Sequence, residues 1–305
     1  MRALLAALCL SLGACATMGP RTTDSAMVSG NFCAQNQLFD ARQQDRMLRF
    51  AATARDELNE AGADIALISR SGLDLDRLGV IYSHSGIGLR QAGEDRWDVR
   101  QLYYACDEGR PRLYDQGLTG FMFGTDKANG ARLSIVWLPA QQAQQLHRAA
   151  ADKARALRLL AATYSANAYP FSTRYQNCNQ WVAEMLAAAF GDLPDDEDLR
   201  ARAQQWLLRN GYQPDPLELD SYLLKTVASM SPLIHLDDHP EQLRSGLKFQ
   251  LSLPRSIETF VRQRMPQAQR VELCHDDNRI VIRRGWTPLD AHCTAGPADR
   301  LIALN

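Results

Sequence analysis

No internal repeat, heptad array or low-complexity block runs through the 305 residues, which excludes solenoid, coiled-coil and fibrous architectures. An excess of one charge is also missing. Thirty-four Lys and Arg stand against 35 Asp and Glu, a formal charge of −1, which argues against a nucleic-acid footprint. The basic residues are nearly all Arg, a compositional bias rather than a phosphate-binding signal. The apolar run at the N-terminus, residues 3–12, is too short for a permanent membrane helix, which needs ~20 residues. What is present is ordinary globular material. Hydrophobic residues make up 46%, and the length suits one large domain or two small ones with a substantial core.

The first residues read as a targeting segment. Arg2 supplies the positive start, residues 3–12 the apolar run, and Leu12-Gly13-Ala14-Cys15 resembles the box of a bacterial lipoprotein signal. That resemblance implies a signal peptide over 1–14, lipidation of Cys15 and membrane attachment through the N-terminal lipid. Ala16 after the cysteine, rather than Asp, resembles sorting to the outer membrane, facing the periplasm. Ala14-Cys15-Ala16 also suits ordinary signal peptidase, which would leave a soluble periplasmic protein. Residues 15–32 are small and polar and read as a tether. Seven cysteines then divide informatively. Cys9 and Cys15 lie in the signal, and five remain. In an oxidising compartment the simplest scheme pairs Cys274 with Cys293 and Cys33 with Cys106, leaving Cys178 free.

The body reads as α+β. Apolar periodicity predicts a helix over 38–61, ended by Gly62, then strands over 64–70, 80–89, 97–104 and 131–138 with turn signals that suggest an antiparallel sheet. A long helix follows over 141–164, then a loop, then a helix over 178–190 that Gly191 stops. Beyond it come an acidic run at 192–198, a helix to about 210, a helix around 217–230, and strands at 248–253 and 271–284. The last of these folds as a hairpin through Asp276-Asp277-Asn278. This divides the chain into a core, 33–191, and a helical and β extension, 192–305, packed on it.

Cys178 sits where loop becomes helix. Unpaired backbone N–H groups and the positive dipole end there favour thiolate over thiol. A cysteine on an apolar helix face is otherwise a small buried hydrophobe. His84, mid-strand between Ser83 and Ser85, is by itself a satisfied core or edge histidine. Paired with a thiol it can take the proton and later protonate the leaving group. A third residue would orient the ring from the strand over 97–104. Gln101 comes first, because its amide can accept from the ring N–H, with Asp98 and Arg100 as the other candidates.

Three blocks carry a resemblance: Asp64-Ile65-Ala66-Leu67-Ile68-Ser69-Arg70, Tyr82-Ser83-His84-Ser85-Gly86-Ile87-Gly88 and Tyr175-Gln176-Asn177-Cys178-Asn179-Gln180-Trp181-Val182. In this order they resemble the circularly permuted branch of the NlpC-type papain-like superfamily, which includes the lecithin-retinol-acyltransferase-like proteins. The resemblance implies a permuted papain-like core with an antiparallel sheet and a cysteine-bearing helix. It makes His84 the general base and Cys178 the nucleophile, and it places Tyr175 and Asn177 where relatives shape the oxyanion site. The third position falls on the Gln101 strand, where many relatives carry histidine, so Gln101 is a departure. Ser256-Ile257-Glu258 and Arg284-Gly285-Trp286 in the tail resemble a domain-of-unknown-function family of secreted proteobacterial proteins.

Metal sites are weaker readings. Cys274-His275 and His292-Cys293 suggest zinc on paper, but neighbours on a strand face opposite ways, and a disulfide is the simpler expectation. Asp238-His239-Pro240-Glu241 reads as a helix cap rather than as part of a His235–His239 metal pair. No metal and no cofactor are expected. The expected function is an exported cysteine hydrolase or acyltransferase working on an amide or ester of the cell envelope through a Cys178 thioacyl intermediate. A peptidoglycan peptide is favoured as substrate and an acyl lipid comes second. The alternative is a non-catalytic envelope lipoprotein that binds a peptide, glycan or protein partner in the same cleft.

Overall fold

The computed structural model describes residues 39–72, 75, 79–91, 93–125, 129–219, 222 and 231–304. The signal, the tether, Cys15 and Cys33 lie outside the described residues, as does most of the helix expected around 217–230.

The first element, α1 (Ala41–Glu60), starts on a reciprocal cap in which Asp40 Oδ1 accepts from Gln43 N at 2.8 Å and Gln43 Oε1 from Asp40 N at 2.9 Å. Then follow β1 (Ile65–Arg70), β2 (His84–Arg90), β3 (Trp97–Ala105), β4 (Arg110–Gly117), α2 (Leu118–Met122), β5 (Arg132–Trp137), α3 (Ala140–Ala151), α4 (Lys153–Arg158), α5 (Cys178–Phe190) and α6 (Leu199–Arg209). The remainder is β6 (Asp215–Glu218), α7 (Glu241–Ser245), β7 (Lys248–Leu251), α8 (Pro254–Arg264), β8 (Gln269–His275), β9 (Arg279–Arg284) and β10 (Arg300–Ala303).

Eight strands make one sheet in the order β10-β9-β8-β5-β1-β2-β3-β4, every neighbouring pair antiparallel. The fold is α+β. Alternation along the strands sorts the core onto two faces. Ile65, Leu67, Ile87 and Leu89 pack with α5 and α3, whereas Ala66, Ile68, Val99 and Ile135 pack with α1 and α2. Two glycines of β2 permit this packing. A Cβ on Gly88 would meet Ile68 Cδ1 at 2.5 Å, and one on Gly86 would meet Val99 Cγ1 at 2.6 Å. Both directions lie on the α1 side of the sheet.

Several expectations are corrected. The tail does not merely pack on the core, because β8 pairs with β5 from Arg132↔Cys274 to Trp137↔Gln269 and brings β9 and β10 into the same sheet. The long helix over 141–164 breaks at Asp152, whose extended backbone and side chain recap the chain by accepting from Ala154 N and Arg155 N. Leu217 lies in β6, a strand paired with β7, rather than in a helix. The strand β4 and the helix α8 were not anticipated. The Asp238 to Glu241 stretch is no side-chain cap, for α7 begins at Glu241 after Pro240 without one, and Asp238 instead accepts from Tyr169 N at 2.9 Å and meets His239 Nδ1 at 3.0 Å. Cys274 and Cys293 form a disulfide, and Cys106 is disulfide-bonded, its expected partner Cys33 lying outside the described residues. His275, beside Cys274, directs Nε2 at Ala131 N and Nδ1 at Asp276 O.

Candidate active site

Helix α5 is apolar on nearly every side and buried along its length to Ala189, so it runs through the interior rather than over the surface. Its start is fixed by Asn177, whose Oδ1 accepts from Gln180 N at 2.7 Å. The same amide donates towards Ala166 O and Ser252 O. Two turns on, buried Glu184 accepts from Gln176, Gln180, Arg200 and Gln204, which ties the loop before α5 to the helix and to α6.

Cys178 is the first residue of α5 and 6% exposed. Its thiol points at Ser83 O, 4.0 Å away. Asn179 grips the same stretch of β2 from both ends of its amide: Nδ2 donates to Ser83 O at 3.0 Å, and Oδ1 accepts from Ser85 Oγ at 2.8 Å. Burial pushes the thiol up to about 11, although the Arg70 guanidinium and the backbone N–H groups of Asn179, Ser85 and Cys178 all favour thiolate. The expected activation by the helix start is therefore present but outweighed by loss of water.

His84 opens β2. Its Nε2 lies 2.5 Å from Gln101 Oε1, and Gln101 Nε2 donates to Gln116 Oε1 at 2.8 Å. With its NH2 end held by Gln116, Gln101 presents its carbonyl oxygen to the ring. An amide oxygen only accepts, so Nε2 carries the hydrogen and Nδ1 is left as the basic atom. The ring is flanked by Phe121 and Tyr103 at 5.7 and 6.0 Å between centroids. Burial, and secondarily Arg70, push its pKa down to about 3 against the Gln101 hydrogen bond. The resting pair is neutral.

His84 and Gln101 lie on the α1–α2 face of the sheet, and α5 lies on the other. The backbone explains how they meet. Arg90 N donates to Asp64 O, so by antiparallel alternation the even residues of β2 bond towards β1, and Ser85 faces β3. The β2–β3 ladder, however, ends at the pair Ile87↔Arg100. Past it, the β3-facing edge of β2 is taken over by the first turn of α5, through Ser83 O and Ser85 N. The sulfur thus sits edge-on in the sheet, one peptide unit from His84. No hydrogen bond joins the sulfur to the imidazole among the described residues.

The other expected residues fall elsewhere. Asp98 and Arg100 occupy the opposite pleat from Gln101: Arg100 Nε pairs with Asp115 at 2.6 Å, and Asp98 accepts from Gln91 Nε2 at 2.7 Å. Tyr175 stacks on His235 at 4.4 Å and its hydroxyl meets Asp237 Oδ2 at 3.3 Å. Both ends of the Asn177 amide are engaged in holding the loop. Neither therefore offers a free donor for an oxyanion, and the donors beside the sulfur are backbone N–H groups. Sequence reasoning missed Arg70, Gln116, Asn179 and Tyr164. The Tyr164 hydroxyl is raised well above its ordinary pKa by burial and then by Cys178. The flanking Ser83 and Ser85, and Asn179 beside Cys178, were the available signals.

A family described as "Uncharacterized protein conserved in bacteria (DUF2145)" matches residues 57–261. The chain belongs to this family. The match takes in Arg70, His84, Gln101, Gln116 and Cys178 and leaves β8, β9 and β10 outside it. No curated protein and no solved structure matches the chain. Among the described residues no helix is long and apolar enough to cross a membrane.

Proposed function

We propose that the protein is a cysteine hydrolase or acyltransferase acting on an amide or ester of the cell envelope, with Cys178 as nucleophile and His84 as general base and acid. The observation that carries the reading is the oriented imidazole: Gln101 Oε1 lies 2.5 Å from His84 Nε2, and the Cys178 thiol, on the first turn of α5, lies 4.0 Å from the carbonyl oxygen of Ser83, the residue before His84. The likeness to the permuted NlpC-type papain-like branch, in the order His84 then Cys178, points the same way.

Because burial holds thiol and imidazole neutral, the proton moves as the bond forms rather than beforehand. As Sγ adds to the carbonyl carbon, its proton passes to His84 Nδ1, and Gln101 steadies the imidazolium. Backbone N–H groups at the start of α5 face the developing oxyanion. His84 returns the proton to the departing amine or alkoxide, leaving a thioester on Cys178. Water or an acceptor hydroxyl then adds, giving its proton to His84, and the S–C bond breaks to restore the thiol. An exported, lipid-attached chain would meet a peptidoglycan stem peptide first and a lipid acyl group second. The enclosed thiol, held up to about 11, favours the second reading, a binding cleft without chemistry.

The test uses p-nitrophenyl acetate as an acyl donor, with acid quenching and mass spectrometry of the whole chain. Acetylation of Cys178 that falls by at least about a hundredfold in His84→Ala supports catalysis. Absence of the adduct, or an adduct indifferent to His84, favours the binding cleft.

A further inference from the structure

A cavity of about 320 Å³ opens between the segment leading into β2, helix α8 and the loop after β9, and neither Cys178, His84 nor Gln101 lines it. Val80, Ile81, Leu253, Trp286 and Pro288 give it apolar walls. Helix α8 contributes one face, Arg255, Glu258, Thr259 and Arg262, at the spacing that brings two turns of side chains into line. The volume lies in the range of small-molecule sites.

The charges at its inner end are matched to one another. Arg270 donates to Glu258 Oε2 at 2.8 Å and to Glu272 Oε2 at 3.0 Å. Ser134 also hydrogen-bonds the Glu258 carboxyl, and Tyr82 Oη and Leu289 N donate to Glu272 at 2.6 and 2.8 Å. Both carboxyls are thus engaged within the protein, and what the cavity offers a ligand is apolar contact.

The mouth is different. Arg255 is committed to Asp215 at 2.6 Å. Arg262 makes no ion pair and no hydrogen bond among the described residues, and its guanidinium lies over the Trp286 ring, 5.5 Å from the centroid. That ring is itself anchored, its Nε1 donating to Ala268 O at 3.2 Å. A cation is thereby held beside apolar walls with its N–H donors unspent. One guanidinium balances one negative charge, and its planar fork matches a carboxylate.

We infer that this cavity is a binding site for a small monocarboxylate with an apolar body, its carboxylate on Arg262 and its chain against Val80, Ile81, Leu253 and Trp286. The assignment does not depend on the thiol chemistry.

Calorimetric titration of the full chain with octanoate tests it. Octanol and octylamine keep the chain and lose or reverse the charge, and acetate keeps the charge and loses the chain. Saturable binding of octanoate, with each control weaker by about tenfold or more, is the expected result. Arg262→Gln should weaken octanoate binding by about tenfold. Thr259→Trp, at an exposed position lining the cavity, should abolish binding by filling it. Arg264→Gln, exposed on the same helix and outside the cavity, should change nothing. The inference is overturned if octanoate does not bind, if any control binds equally, or if binding is undiminished in Arg262→Gln or Thr259→Trp. An equal loss in Arg264→Gln overturns it too, because the attraction would then belong to the surface at large.

Discussion

Gln176 Nε2 donates to Glu184 Oε2 at 2.6 Å, joining the residue two places before the thiol to the middle of the helix that the thiol begins. Glu184 is fully buried and Arg200 nearly so, so the carboxylate compensates a buried guanidinium while holding three glutamines. Glu184→Ala strands that charge and should cost about 3–5 kcal/mol, whereas Glu184→Gln should cost visibly less. Urea midpoints of the two variants at neutral pH check this. Equal midpoints would mean that the network does not hold the loop.

Burial of the two site groups gives stability a pH signature at each end. As pH falls through ~6.5 the unfolded chain takes a proton at His84, whereas the folded chain does not until about 3. The stability owed to the neutral ring is complete above that upper value and lost on the way down. Cys178 acts at the alkaline end: the unfolded thiol ionises near ~8.5, and the folded one near about 11. Stability is therefore full below the first value and declines towards the second. Denaturant midpoints across pH should show a shallower acid limb in His84→Asn and a shallower alkaline limb in Cys178→Ala. Curves parallel to wild type would remove the basis for a neutral pair.

Gly86 lies two residues from His84 and packs against Gln101. A Cβ there would meet Val99 Cγ1 at 2.6 Å, Arg100 O at 3.0 Å and Gln101 Cβ at 3.3 Å. Since one of these is backbone, Gly86→Ala must push β2 from β3, at a cost of about 1–3 kcal/mol. It should also lengthen the His84–Gln101 contact. In the nitrogen-15 spectrum of the imidazole, the hydrogen-bond shift at Nε2 should diminish in Gly86→Ala and persist in wild type.

How far the sequence disclosed this arrangement depends on which force decides each element. The hairpin through Asp276-Asp277-Asn278 was legible because turn chemistry is local: Asp276 Oδ1 accepts from Asn278 N and Arg279 N. The helix starting at Cys178 was equally plain from its apolar run and the preceding polar loop. Strand β4 was not, since Arg110 to Gly117 is mostly polar and its strand character comes from pairing with β3. The break at Asp152 hid inside a favourable helical pattern, because a cap there is decided by one side chain. Local reasoning found Cys178, His84 and Gln101, but it misjudged the thiol. A helix start favours thiolate, and only the three-dimensional packing reveals that enclosure prevails.

The place of β5 in the sheet has a consequence for synthesis. It lies between β1 and β8, and residue 269 leaves the ribosome well over a hundred residues after residue 137. Until then Arg132 to Trp137, buried throughout in the finished fold, presents an unpaired and largely apolar strand edge. Such an edge can template pairing with another chain. A fragment cut at residue 261, where the family match ends, would keep every candidate catalytic side chain and also keep that edge bare. The C-terminal strands thus cover, in the finished protein, the edge that is left open during synthesis, as well as completing the sheet.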